Sequence, residues 1–490
     1  MKALIDKRQF LAAVVCPTRG WFEARKPRES APPGLAWKFF TGAEVGRIAR
    51  EQLGRGVELP TGSGVETAEA TARAIAGGDA TLLFEATFVA GAFVARADAL
   101  RRDEDGWDLI EVKSSKLSAQ DGPSDEALDD LAYTTFVARA AGVRLHRLYL
   151  MLISSDYRIG DDGDLLVEVD VTQAALARAD EWSALAPVVT ESVRSVGQPP
   201  PVLKLVCRSC EFFRTTCLGA NVPDSILLLP RLSSKRFEPL KQFVRISALP
   251  LDAELTPPQA RVARVIRSGT PERDPVGLTR LDQVAWPVYY LDFESINPGL
   301  PWFPATPPYE AIPFQYSLHA RTTMIDDPIH SEYLAPLGED WRRALAVRLL
   351  GQLGDRGSVI TYSGYEKRML RYLAQAVPDL GPRLDQVIER LFDLEQVVRE
   401  GYCHPAFQGH TSIKYVLPAL APELRYDVLE IGGGDDAAGA FALMWVGAWG
   451  PERHEATRRH LLEYCKLDTL AMVRVHEELV KLWRELKTES

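Results

Sequence analysis

Apolar residues along the chain recur with two periods, and the change from one to the other marks the elements. In TGAEVGRIAREQL, residues 41–53, apolar side chains return every three or four positions, which predicts a helix. TLLFEATFVA, AFVARADAL and WDLIEVK are short apolar runs rich in strand formers and predict three successive strands. Ser124 to Ala141 reads as helix, LHRLYLMLI as strand and VTQAALARADEWSALAPVV as helix. Near the beginning, FLAAVVC resembles a lipoprotein signal, but it is short, preceded by Asp6 and has bulky Val15 before its cysteine, so it reads as one face of a helix. This order over residues 1–222 predicts an α/β layer around a mixed sheet.

Residues 223–284 change character: prolines recur, with short amphipathic pieces between them. They read as a short helical connector. Arg261, Arg264 and Arg267 recur there at helical spacing, either as a solvated face or as a local track for phosphates. From residue 285 the alternation resumes: strands at 288–293 and 313–320, a helix at 338–353, the strand SVITY, a helix at 364–376, and a long helix from about 452. No repeat of fixed period and no low-complexity segment interrupts it.

At 490 residues the chain exceeds one ordinary core, so two or three domains are expected. Hydrophobic residues at 46% and charged residues at 25% are those of a globular protein, and no apolar run is long enough to span a bilayer. A cytoplasmic protein without a membrane partner is the expectation. The net charge of −10 argues against a surface coated with basic residues, although metal-binding carboxylates and a local basic path can coexist with it. Six cysteines are too few for a disulfide scaffold, so their spacing carries more meaning than their number.

The strand VYYLDFESINPGL runs straight into Asp292 and Glu294. Residues i and i+2 of a strand share a face, so these like charges would resist ionising side by side and call for a cation between them. Further acids emerge from apolar runs elsewhere: Glu366 after ITYSGY, Asp393 in RLFDLEQ, and Asp468 four residues after Tyr464 in LLEYCKLD. Carboxylates gathered from distant parts of the chain suit two hard cations about 4 Å apart, which assist phosphodiester cleavage. This order resembles the DnaQ-like (DEDD) 3′–5′ exonucleases over roughly residues 285–480. The resemblance implies an RNase H-like fold in which Asp292 bridges both metals, Glu294 and Asp468 ligate, and Tyr464 orients the attacking water. The middle motif departs from the family: Glu366 stands where aspartate is usual, with Asp393 as substitute or supporting acid. GHTSIKYVLPALAP, with Ser412 and Lys414, lies where the superfamily often places a helix beside the site, or is an ordinary surface helix.

A second set lies in the first half: Glu85 in one predicted strand, Asp98 at the end of the next, and Glu111 and Lys113 on one face of the third, in LIEVKSS. Asp98 and Glu111 could hold a metal while Lys113 stabilises charge on a phosphate. This set resembles the PD-(D/E)XK nuclease fold over about residues 8–220. VCRSCEFFRTTC adds Cys207, Cys210 and Cys217 to a lone early Cys16. One early cysteine and a late trio resemble the iron–sulfur nucleases related to AddB and the CRISPR-associated RecB-like exonucleases. By that resemblance the four thiolates hold a [4Fe–4S] cluster, with structural Zn2+ as the alternative. Cys403 and Cys465 read as packing residues. The histidine that RecB-like members carry in the first helix is absent, with Glu44 the nearby candidate, and Tyr133 stands without the family's glutamine.

Together the resemblances imply an N-terminal PD-(D/E)XK restriction-endonuclease-like domain (1–222), the connector (223–284) and a C-terminal RNase H-like domain (285–490). They imply a nuclease dependent on Mg2+ or Mn2+, acting on nucleic acid with DNA favoured, and a helicase or a repair or defence partner. One active domain with the other as clamp, or a non-catalytic nucleic-acid-binding scaffold, are the alternatives.

Overall fold

Near-continuous apolar strands have to be covered on both faces, and the first sheet is built that way. The computed structural model describes residues 3–27, 30–62, 64–118 and 122–489. The chain is mixed α/β, with two large sheets, and divides into two compact units. The first comprises Met1–Ser30, Lys38–Val202 and Pro298–Glu310.

Its six strands lie in sequence order: β1 (Val57–Glu58), β2 (Leu82–Ala90), β3 (Phe93–Asp103), β4 (Gly106–Lys116), β5 (Leu145–Ile153) and β6 (Leu166–Asp170). β2, β3 and β4 form an antiparallel meander, and β5 runs parallel to β4. The crossover between those two is the helix Asp125–Ala140, whose first turn is capped by Ser124. Alternation sends Leu83, Leu109 and Leu150 into a core with Phe10, Tyr133 and Trp182. Their neighbours Phe84, Ile110 and Met151 enter a second core with Val45 and Ala49. FLAAVVC forms the greater part of the helix Lys7–Val15, which buries Phe10, Ala12 and Ala13.

The second unit comprises Ala31–Trp37, Leu203–Asn297 and Ala311–Ser490. It takes in residues 203–222, which the sequence reading assigned to the first domain, and the whole stretch read as a connector. The reason is burial: Leu203, Phe213, Ile226–Leu229, Phe237, Ile246 and Ala263 close a core of their own between the prolines. The arginines there are bound in place. Arg261 and Arg264 pair with Glu272, and Arg267 donates to the carbonyls of Ile246 and Leu249.

Here the two-residue β7 (Glu272–Arg273) precedes the main sheet of β8 (Val288–Ile296), β9 (Ile312–Arg321), β10 (Ile329–Leu334), β11 (Ser358–Thr361) and β12 (Leu391–Asp393). β7 itself pairs with β13 (Tyr402–Cys403). The main sheet has the order β10-β9-β8-β11-β12. β8, β9 and β10 are successively antiparallel, while β11 runs parallel to β8 and β12 to β11. The chain therefore departs from β8 to one side and returns on the other. The adjoining carboxyl ends of β8 and β11 make a switch point, the usual place for a site in an open sheet. The helix expected from residue 338 begins at Arg342, where Asp340 accepts its backbone N–H. Among the described residues no helix is long and apolar enough to cross a membrane.

Candidate metal centre

β8 delivers Asp292 and Glu294 to the switch point, with a register shift just after Glu294. β11 ends in a turn in which Ser363 takes a left-handed φ of 107°, and the helix Tyr365–Ala376 follows, with Glu366 in its first turn. The long helix Pro451–Glu489 supplies Tyr464, Cys465 and Asp468. It is pinned to β9 by Gln315, which donates to the Leu461 carbonyl at 2.8 Å, and by Ser317 and His319 on the Thr469 hydroxyl. These acids line one cavity of about 810 Å3, together with Ser412, Lys414 and Tyr365.

Ligating atoms of Asp292, Glu294 and Cys465 all lie within 4.8 Å of one another. The Cys465 sulfur is 3.4 Å from Asp292 Oδ2. Tyr426 donates to Asp468 Oδ1 at 2.6 Å. Tyr365 and Ser295 share a short hydroxyl contact at the rim. Lys414 donates to the Gly432 carbonyl and stands about 5.5 Å from the centre of the Tyr464 ring.

Burial, and then the neighbouring acids, push the proton affinities of Asp292, Glu294 and Glu366 well above the usual carboxylate range. Asp468 rises to about 6: burial raises it, while Tyr426, Lys414 and Tyr464 hold it down. Glu366 is only 2% exposed, and its Oε2 has no partner among the described residues. A buried, unpartnered carboxylate oxygen among like charges is costly unless a cation joins it. Asp292, Glu294, Glu366 and Asp468 thus fit divalent ions, and oxygen donors suit Mg2+ or Mn2+.

The structure brings Asp292, Glu294, Glu366, Tyr464, Asp468, Ser412 and Lys414 to one cavity. Asp393 does not line it: its carboxylate caps the helix Leu394–Gly401, accepting from Gln396 and from the Ser363 backbone. Cys465, read from sequence as a packing residue, is fully buried and also touches Asp292. Tyr426 had no sequence signal. Of the cationic side chains that line the cavity, Lys414 is the one whose charge lowers the proton affinity of Glu294, among the described residues.

In the first unit, Lys7 and Lys113 both donate to Glu111 Oε1, at 2.8 and 3.0 Å, and both reach Asp130. Burial raises Glu111, but the two lysines outweigh it and set it at about 2. Lys113 is lowered by burial and raised further by Glu111 and Asp130, so it is held fully protonated. Asp98 accepts the Val112 N–H at 2.7 Å, yet burial and then Glu111 raise it to about 7. Lys7 and Asp130 are members of this group that sequence reasoning missed.

Glu85 does not join the set. It sits within β2 at a position that the β2–β3 ladder skips, with φ of 61°, and Arg50 and Arg96 take its carboxylate. Glu44 pairs with Arg47 on its own helix. Tyr133 is fully buried and donates to the carbonyls of Ile5 and Val94, a core role.

Cys207, Cys210 and Cys217 lie on tight turns of the second unit, and Cys16 belongs to the first unit. The Cys207 sulfur accepts the Lys204 N–H at 3.4 Å. Cys403 is half-buried on β13.

Residues 289–412 match the family described as a domain of unknown function, DUF2779. That segment contains Asp292, Glu294, Glu366 and Asp393 and ends before Lys414, Tyr464 and Asp468. No curated protein and no solved structure matches the chain.

Proposed function

We propose that the chain is a metal-dependent nuclease that hydrolyses phosphodiester bonds of nucleic acid, DNA above RNA. In this reading the second unit is an RNase H-like, DnaQ-like 3′–5′ exonuclease. The first unit is a PD-(D/E)XK module with a second nuclease site, and the cysteine trio of the second unit would take part in holding an iron–sulfur cluster.

One observation carries the proposal: four acids from separate segments share a cavity in which Glu366 Oε2 is buried without a partner. Clustered buried acids must either take up protons or be offset by cations. Asp292, Glu294, Glu366 and Asp468 would hold the ions. Two divalent ions supply positive charge to the attacking and leaving oxygens of a phosphodiester. Around them, Tyr464 would orient the attacking water, Lys414 would offset phosphate charge at the mouth, and Tyr426 would keep Asp468 aimed and ionised.

A second reading keeps one active site and makes the first unit a clamp. It draws on Lys7 and Lys113, which already neutralise Glu111 and Asp130.

The test is Mg2+- or Mn2+-dependent degradation of labelled single- and double-stranded DNA and RNA, with Asp292→Ala compared with Lys113→Ala. Loss of cleavage in Asp292→Ala supports the reading. Cleavage unchanged in both variants removes both sites. No divalent-cation binding by calorimetry near neutral pH would point to a non-catalytic scaffold.

A further inference from the structure

A second cavity in the same unit, of about 310 Å3, is lined by Arg208, Arg214, Gln408, His410 and Tyr415 over an apolar floor that includes Phe213. It contains no carboxylate, although the chain as a whole carries a net charge of −10. Among the described residues neither arginine has an acidic partner. Arg208 is fixed from Nε and Nη2 by the carbonyls of Leu227 and Leu229. Arg214 is held through Nη1 by Gln408 Oε1 at 2.9 Å. The remaining guanidinium N–H groups are left to donate.

Beside them His410 and Tyr415 stack, with ring centres 4.0 Å apart and planes 13° from parallel. Burial, then the charges of Arg214 and Arg208, lowers the His410 proton affinity, so the ring is neutral at pH 7. A neutral, flat ring pair next to unpaired guanidinium groups offers one partner for a base and another for a phosphate. Gln408, His410 and Tyr415 face this cavity, while Ser412, Ile413 and Lys414 line the cavity of the four acids. The segment 408–415 borders both.

We infer that this cavity is a binding subsite for an unpaired nucleotide of a single strand, its base on the His410–Tyr415 stack and its phosphate on Arg208 and Arg214. The inference rests on the nuclease reading and names the form of substrate. A base inside a duplex keeps its faces covered by its neighbours, so the subsite selects single strands.

The test is fluorescence anisotropy with a labelled oligothymidylate and with a labelled duplex of equal length. Asp292→Asn combined with Lys113→Ala serves as the background, with chelator present, so that the strand survives. Arg214→Gln and Tyr415→Leu should each weaken single-strand binding about tenfold and change duplex binding less than twofold. Tyr415→Phe should bind as its parent does. Arg214→Gln should also flatten the salt dependence by about one phosphate contact. Circular dichroism and the melting temperature verify that the variants fold. Unchanged single-strand affinity in folded Arg214→Gln and Tyr415→Leu overturns the subsite, as does equal weakening on single strand and duplex. These results leave the nuclease reading intact. That reading fails separately, if the unsubstituted chain cleaves no nucleic acid with Mg2+ or Mn2+.

Discussion

Tyr426 donates its phenolic hydrogen to Oδ1 of Asp468 at 2.6 Å, and it does so from outside the helix that carries the acid. The bond opposes the effect of burial on Asp468. Tyr426→Phe keeps the ring and removes the donor. Partners that orient a ligand in this way are worth about 10- to 100-fold in metal affinity or activity. Titration of Mn2+ by calorimetry should show at least about a tenfold weaker site, with the melting temperature in chelator little changed.

Removing a buried charge from the acid cluster should have opposite effects without and with metal. Asp292→Asn relieves repulsion on Glu294 and Glu366, so the chelated protein should melt no lower than its parent, and higher at alkaline pH. The upward shift of melting temperature with saturating Mn2+, which follows from binding to the folded state alone, should disappear. Calorimetric scans with and without Mn2+ measure both.

The division of labour between the two units is settled by a double substitution. Asp292→Asn alone should leave residual Mg2+-dependent cleavage, and adding Lys113→Ala should abolish it. Activity already at background in Asp292→Asn would assign the chemistry to the second unit alone. Lys113→Ala also leaves Asp130 and Glu111 with Lys7 only, and a loss of about 1–3 kcal/mol of stability in denaturant titration is expected.

Two histidines buried as neutral rings predict the acid limb of stability. Burial, then nearby positive charge, lowers His319 to about 3 and His476 to about 4. Their hydroxyl partners are Thr469 and Tyr290. In the unfolded chain these rings bind protons below about 6.5. The folded state binds them only below about 4, so stability is full above pH 6.5 and falls as pH drops toward 4. The acid cluster acts in the opposite sense when free of metal, so the measurement belongs in excess Mg2+. Urea titrations at pH 7 and pH 5 should differ less in His476→Gln than in the parent.

The cysteine trio predicts a coloured protein. Anaerobic preparations should contain iron and acid-labile sulfide, with broad absorbance near about 400 nm from the cluster. Cys210→Ser should lose both. A colourless preparation with stoichiometric zinc would replace the cluster with a zinc site.

Much of the second unit was legible because its chemistry follows regular periods. Strand alternation put Asp292 beside Glu294, and the helical repeat put Tyr464 over Asp468. Cys465 packs in the core as expected; it faces roughly 100° away from Tyr464 on the helix, and β8 packs close enough for its sulfur to meet Asp292 as well. Tyr426 lies in an irregular segment and has no period to betray it. Glu85 lies in β2 as expected, but nothing in LLFEAT announces its left-handed backbone or the arginines that take its carboxylate. The prolines of residues 223–284 read as punctuation of a linker, while the leucines and isoleucines between them close a core.

The helix Pro451–Glu489 has 39 residues and is therefore a rod of roughly 58 Å. Tyr464, Cys465 and Asp468 ride on it as a single rigid cassette. Inserting one residue between Leu461 and Tyr464 would swing all three by roughly 100°, leaving the acids of β8 in place but facing a different surface. The centre is thus assembled or dismantled in one motion, and any force that turns this rod acts as its ignition key.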